Sequence, residues 1–320
     1  MKHTKKGNKK LLLILFIILL IFIIFIFNKY NKNANTNTEN NSTETTLSNK
    51  NTKQDTAEPI TFTLTSLGDT LCHNTQYWDA YNSKTDEYDF SYVYEDIKNY
   101  TLSSDITIGS LETTFAGKEK GYSNYPTFNT PDSLATALKD IGVDVVSLAG
   151  NHALDYGYTG LCRTIDVFNN IGLSHLGTYK TAEDQEKILI KDVEGVKIAF
   201  INYTYGTNGI PLPSGKDFCV NLIDKDFIKK QINQAKEQNV DMIVACMHWG
   251  TEYRTTANSE QKDLANFLFE NGVDVILGNH PHVLEPMEKK TITLQDGTTK
   301  DVFVVYALGN FTADQRDEIT

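Results

Sequence analysis

A chain of 320 residues with 40% hydrophobic and 22% charged side chains is long and apolar enough to bury a sizeable core, which excludes a compositionally disordered polypeptide. Its net charge of −11 hides an asymmetry: the first 30 residues hold six lysines and no acid, leaving 24 basic against 41 acidic side chains downstream, a net −17. A surface of that sign repels a phosphate backbone and argues against nucleic acid as a partner, while an acidic substrate would need a cation in the site, for which a metal ion is the simplest source.

In chain order, a basic tail over 1–10 precedes Leu11 to Phe27, 17 uncharged apolar residues, or about 25 Å of helix. The spacing predicts a membrane anchor. Five lysines lie before it and only Lys29 follows closely, so the positive-inside bias puts the N-terminus in the cytoplasm and the rest outside. A cleaved signal peptide is the competing reading, opposed by the long apolar stretch and the lack of a small-x-small site after Phe27. A buried core helix is opposed by hydrophobicity on every face. Residues 28–58 are polar throughout and predict a flexible tether. The remaining 59–320 suit one large α/β domain.

Within that domain one local pattern recurs three times, at 132–152, 227–250 and 262–280: an amphipathic helix, a Gly or Asn stop, a Val-Asp start, a short β-branched run, then a loop opening on His. Each predicts a helix followed by a buried strand. Further strands are predicted at 60–69, 104–112, 196–205 and 301–311. In open α/β sheets ligands bind beyond the carboxyl ends of the strands. Asp69, Glu112, Asn151, His152, His248, His280 and His282 all fall at such ends. A lone His there usually serves a loop; several at equivalent ends argue for a shared site. Imidazole with carboxylate suits Zn, Mn or Fe, and no Cys joins the set. Cys72, Cys162, Cys219 and Cys246 show no CxxC pair, so disulfides stay open.

The segments GDTLCHN (68–74), SLETTFAG (110–117), YPTFNTP (125–131), AGNHALDYGYTG (149–160), YTYGTNG (203–209), MHWGTEY (247–253), GNHPHVLEP (278–286) and YALGNF (306–311) together resemble the ordered motifs of the CapA family of bacterial capsule or poly-γ-glutamate biosynthesis proteins, related to calcineurin-like metallophosphoesterases. The resemblance implies an α/β fold, a four-layer α/β/β/α metallophosphatase-like sandwich. It also implies one or two divalent ions on Asp69, Glu112, Asn151, His152, His248, His280 and His282. Two departures leave the ion count open: the first strand lacks D-x-H, and Glu112 stands where those enzymes commonly carry a bridging Asp. His73 is either the replacement for that missing His, in reach of substrate, or a helix-start residue. Relatives usually continue beyond the LGNF motif, so the resemblance also implies further chain after Thr320.

Other residues carry two readings each. Asp155 orients His152 or caps the next helix. Glu252 is a general base, a substrate contact or an exposed loop acid. Asn310 hydrogen-bonds a reacting oxygen or closes a turn. Arg254 is the nearest cation for a carboxylate or phosphate. Trp249 and Tyr253 are expected to pack the loop, and His175 to be structural. Two functions follow from the resemblance. One is an outward-facing, membrane-tethered metal-dependent hydrolase or transferase working on poly-γ-glutamate, a related anionic envelope polymer or a phosphoester. The other is a non-catalytic metal-binding component of a polymer synthesis or export complex, beside other capsule-synthesis membrane proteins.

Overall fold

The structure, a computed structural model, describes residues 59–294 and 296–320. The anchor and tether expected over 11–58 lie outside the described residues. Among the described residues no helix is long and apolar enough to cross a membrane.

Thirteen strands are present among them: β1 (Leu64–Thr70), β2 (Tyr81–Asn82), β3 (Glu87–Tyr88), β4 (Ile106–Leu111), β5 (Val145–Ser147), β6 (Ser174–Leu176), β7 (Leu189–Val193), β8 (Val196–Thr204), β9 (Met242–His248), β10 (Val275–Asn279), β11 (Met287–Thr293), β12 (Thr299–Val305) and β13 (Asn310–Thr312). One sheet has the order β13-β1-β4-β5-β6 and is parallel throughout. The second has the order β11-β12-β10-β9-β8-β7, parallel in its centre with an antiparallel strand at each edge. β2 and β3 form a small separate hairpin.

Three apolar clusters arrange these elements. Ile106, Ile108 and Val145 of the first sheet meet Ile198, Phe200, Val244 and Leu277 of the second. The opposite face of the first sheet packs on helices Ser133–Asp140 and Gly157–Ile171, through Leu134, Leu138, Leu161 and Phe168 among others. The opposite face of the second packs on helices Lys225–Glu237 and Ser259–Asn271, through Ile228, Ile232, Leu264 and Leu268. Each fully buried aliphatic or aromatic side chain contributes about 1.5–3 kcal/mol relative to exposure.

The recurring pattern of the sequence has a physical account. Helix Ser259–Asn271 starts at a capping box of Asn258 and Gln261, and Asp224 caps helix Lys225–Glu237 through the amide of Phe227 at 2.7 Å. Gly272 ends the former helix in the left-handed region, φ +117°. The aspartate of each Val-Asp start then clamps the neighbouring strand: Asp144 accepts from the Thr107 amide, Asp241 from Lys197 and Asp274 from Ile243, each at 2.8 Å. Asp105, at the start of β4, does the same for Thr63 at 2.7 Å. A carboxylate in this place satisfies the strand amide that lies just before the ladder begins. Asp274 is the most protected of the repeated three and also pairs with Lys300 at 2.8 Å. Asp274→Ala should cost about 1.5–3 kcal/mol, the worth of a hydrogen bond to a charged group. Thermal unfolding would show this as a drop of about 4–10 °C, whereas a change under 1 °C would exclude the clamp.

The single strand expected over 301–311 is two. β12 belongs to the second sheet and β13 to the first, and residues 306–309 carry the chain between them. The apolar run from Val302 to Leu308 passes through the break without a polar residue, while β13 itself is only half-buried. Gly309 turns there at φ +68°, and its carbonyl accepts the Asp69 amide at 2.9 Å. That approach needs a glycine opposite, since a Cβ on Gly68 would stand 2.1 Å from the Gly309 oxygen.

Candidate metal centre

Every candidate donor stands at a carboxyl end of a strand, where the two sheets meet. Asp69 lies at the end of β1, Glu112 just after β4, Asn151 and His152 after β5, His248 closes β9, and His280 and His282 follow β10. All seven are buried. The loop bearing the last two is held in unusual backbone: His280 has φ +99° and His282 φ +63°. For side chains of that size such conformations are strained, and they persist where packing over-determines them, often at functional sites.

Two sets of ligand atoms lie within 4.8 Å of one another: Glu112 with His248 and His280, and Asp69 with Glu112 and His282. Glu112 belongs to both. Its Oε1 is 3.8 Å from His248 Nε2 and 3.8 Å from His282 Nε2, and neither carboxylate oxygen receives a hydrogen bond. Asp69 is better satisfied, accepting from Ser110 Oγ at 2.9 Å and from the His280 amide at 2.7 Å. Burial, then the nearby Asp69, Glu252 and Asp155, pushes the Glu112 carboxyl well above its usual range. Burial likewise raises Asp69, against the lowering hydrogen bond from the His280 amide. Burial lowers His280 to about 3, and with its three imidazole neighbours holds His248 well below its ordinary value. Burial thus favours the neutral form of His248 and His280, which leaves each a nitrogen lone pair to offer as a ligand.

A buried carboxylate without a hydrogen-bond donor is costly as it stands. The His280 Nδ1 atom is buried and unpartnered as well. Two carboxylates and three imidazoles around these unsatisfied atoms fit one or two divalent ions of the Zn, Mn or Fe type. The oxygen and nitrogen donors present suit such ions, and all four cysteines are free thiols away from the set.

His152 joins neither set, and Asn151 stands against one of their members. Asn151 Oδ1 lies 2.9 Å from His248 Nε2, and its amide nitrogen donates to Asn208 Oδ1 at 3.2 Å. His152 Nδ1 is 2.8 Å from Asp155 Oδ2, which also accepts the Phe128 amide at 2.7 Å. Asp155 caps no helix; the helix after it starts at Tyr156 without a side-chain cap. With Nδ1–H donated to Asp155, His152 keeps a lone pair at Nε2, which faces the Asn208 amide at 3.4 Å. Asn310 receives His282 Nδ1 at 2.9 Å and donates to Gln315 at 2.8 Å, so it holds His282 rather than closing a turn.

A cavity of about 210 Å³ adjoins the cluster, with His152 and His282 in its wall. Leu71, His73 and Phe128 line its inner side, and Tyr125, Glu252, Tyr253 and Gln315 complete it. His73 starts helix Asn74–Asp79, where Gln76 accepts its amide at 2.7 Å, and it lines the cavity while joining neither set of donors. Its Nδ1 accepts the Asp314 amide at 3.0 Å. Arg254 is exposed and is not in the cavity wall, because the left-handed turn at Tyr253, φ +61°, directs Glu252 and Tyr253 there instead. Trp249 is buried and donates to the Tyr306 carbonyl at 2.9 Å. His175 lies apart on β6, and burial lowers it to about 4. Asn208, Tyr125 and Gln315 were not foreseen; all three are neutral loop residues without a metal-binding signature.

A family profile described as "Bacterial capsule synthesis protein PGA_cap" matches residues 63–315. The chain is 29% identical over 237 residues to "Capsule biosynthesis protein CapA" of Bacillus anthracis, covering 71% of this chain and 55% of that protein. It is 31% identical over 233 residues to "PGA biosynthesis protein CapA" of Bacillus subtilis (strain 168), covering 70% and 57%. The matched stretch thus spans little more than half of either relative. Among solved structures, the NAD nucleotidase NadN of Haemophilus influenzae superposes with a TM-score of 0.44 at 18% identity, over 69% of this chain and 40% of that one. With four-fifths of its length matched by the profile, the chain belongs to the bacterial capsule synthesis protein family PGA_cap.

Proposed function

We propose that this protein is a metal-dependent hydrolase or transferase acting in the synthesis of capsule or poly-γ-glutamate, on a four-layer metallophosphatase-like scaffold. In this reading residues 11–27 tether the domain to the outer side of the membrane, beside an anionic polymer and other capsule-synthesis membrane proteins. The observation that carries it is Glu112: a fully buried carboxylate, bare of hydrogen bonds, shared by two sets of donors, one of which reaches the cavity wall through His282.

Asp69, Glu112, His248, His280 and His282 would hold the ions, with the Asn151 amide oxygen beside them. When bound, such ions supply Lewis-acid polarisation of a carbonyl or phosphoryl oxygen and offset developing negative charge. The chain's own groups do the rest. Asp155 fixes the His152 tautomer and stabilises the imidazolium formed when Nε2 takes up a proton. Asn310 aims His282 through its Nδ1, and Leu71, Phe128 and Tyr125 narrow the access of water to the cavity.

The test uses the full chain in detergent, its metal content measured by elemental analysis, with γ-glutamyl and aryl-phosphate substrates. One to two divalent ions per chain and turnover that disappears on chelation are expected. His152→Ala should lower kcat by about 10²–10⁴-fold while leaving the metal content unchanged. A metal-loaded chain that turns over neither substrate class would sink the catalytic reading and leave a metal-binding assembly component.

A further inference from the structure

The metal-binding reading above gives the Asn151 amide oxygen a place beside the ions, and the following inference rests on that reading. A side-chain amide can face a cluster with its oxygen or its nitrogen, and only the oxygen has a lone pair for a cation. The end that Asn151 presents is set by a line of hydrogen bonds starting at Asp155. An ionised carboxylate can only accept, so neutral His152, with Nδ1 2.8 Å from Asp155 Oδ2, carries its proton there and leaves a lone pair at Nε2. The Asn208 atom 3.4 Å from Nε2 is therefore the amide nitrogen, which turns Asn208 Oδ1 toward Asn151. That oxygen accepts from the Asn151 nitrogen at 3.2 Å, and Asn151 Oδ1 is left 2.9 Å from His248 Nε2, on the side of the donors.

Asn208 is held where it can serve as this link. The Tyr205 amide donates to the His248 carbonyl at 3.0 Å, and the Tyr205 ring centre lies 4.6 Å from that of His280, so the loop after β8 rests against the cluster. Within that loop the Ile210 amide closes a turn on the Thr207 carbonyl at 2.9 Å, and the buried Thr207 hydroxyl donates to the Ile210 carbonyl at 2.6 Å. Asn208 stands in the turn at φ +50°, a left-handed state that asparagine tolerates better than most residues. The Tyr205 hydroxyl also donates to Asn208 Oδ1, at 3.5 Å, so the orientation does not hang on His152 alone. Asn151 itself is buried, so its amide nitrogen depends on a protein partner.

We propose that Asn208 is a positioning residue, which locks the Asn151 amide with its oxygen toward the ions through a hydrogen-bond line whose direction is fixed at Asp155. Asn208 acts on the ions only through Asn151.

Calorimetric titration of Mn into the metal-stripped full chain in detergent tests this without reference to turnover. Asn208→Gly suits the left-handed turn and removes the amide, whereas Asn208→Asp keeps an oxygen facing Asn151. The Gly variant should bind Mn about tenfold more weakly, and the Asp variant should recover most of that loss. In an Asn151→Ala background, Asn208→Gly should change Mn affinity less than about twofold, because the group it orients is gone. Metal-free melting temperatures of both single variants should stay within about 2 °C of metal-free wild type. Unchanged affinity in Asn208→Gly, no recovery in Asn208→Asp, or a further tenfold loss in the Asn151→Ala background would each overturn the proposal. So would a larger fall in melting temperature that tracks the lost affinity, since it would assign the effect to the fold. A wild-type chain that takes up no Mn would strike the metal-binding reading itself, and this inference with it.

Discussion

Glu112→Gln is expected to strip the domain of its ions while making the metal-free protein more stable than the metal-free wild type. The two effects share one cause. Glu112 is common to both sets of donors, so its loss as an anion weakens both at once. Yet in the absence of ions it is a buried carboxylate with no donor, next to Asp69, and an uncompensated buried charge costs several kcal/mol. A neutral amide removes much of that cost. At about 2–4 °C per kcal/mol for a domain of this size, the metal-free variant should melt about 4–10 °C above metal-free wild type. With Mn or Zn added the order should reverse, because only the wild type gains from binding. Thermal unfolding of both proteins with chelator and with metal, alongside elemental analysis, checks this. A variant that keeps its metal, or a metal-free pair with the same melting temperature, would show that Glu112 is not the shared ligand.

Gly278→Ala should be the most damaging single methyl group in the domain. Gly278 stands on β10 just before the His280 loop, and a Cβ there would lie 1.8 Å from the Tyr306 carbonyl oxygen, 2.5 Å from its carbon and 2.8 Å from Trp249 Nε1. Two of those three atoms are backbone. The third donates to that same carbonyl, and the Gly278 carbonyl accepts the Leu308 amide at 2.9 Å, so neither strand can yield without losing a hydrogen bond. A cost above about 4 kcal/mol is expected, seen as a fall of roughly 8–16 °C in Tm or as failure to fold. Gly206→Ala is the control: a Cβ there meets nothing within 4 Å, and its effect should stay within about 0.5 kcal/mol. Comparable melting of the two variants would disprove the close approach.

The parts of the fold legible in the sequence were those with a local cause. The three helix-strand pairs announced themselves through apolar periodicity, a glycine or asparagine stop and an aspartate at the strand start, and the aspartates turn out to clamp neighbouring strands. The edges were not legible. β7 and β11 are half-polar strands, LIKDV and MEKKTIT, whose pairing partners rather than their own pattern make them strands. The division of 301–311 was hidden for the opposite reason, since the apolar residues from Val302 to Leu308 run unbroken through the crossing.

The same division holds at the site. Imidazoles and carboxylates at strand ends could be picked out because few side chains bind metal. Spacing offered the orientation of His152 by Asp155 as one of two readings without choosing between them, and it gave no hint that Asn310 holds His282, a contact between two distant loops. Arg254 shows the limit clearly. It is adjacent to a wall residue, but the positive φ of Tyr253 sends it to solvent, and such a backbone state at an aromatic residue has no signature in sequence.

The stretch from Tyr306 to Asn310 works as a hinge pin. Its residues join one sheet to the other, the Asp69 amide hangs on its Gly309 carbonyl, and Asn310 steadies His282. Carboxylates from one half and imidazoles from the other therefore keep their spacing only while the halves stay closed. An ion gripped by both would act as a rivet, and whatever loosened the pin would release the cargo before the rest of the domain came apart.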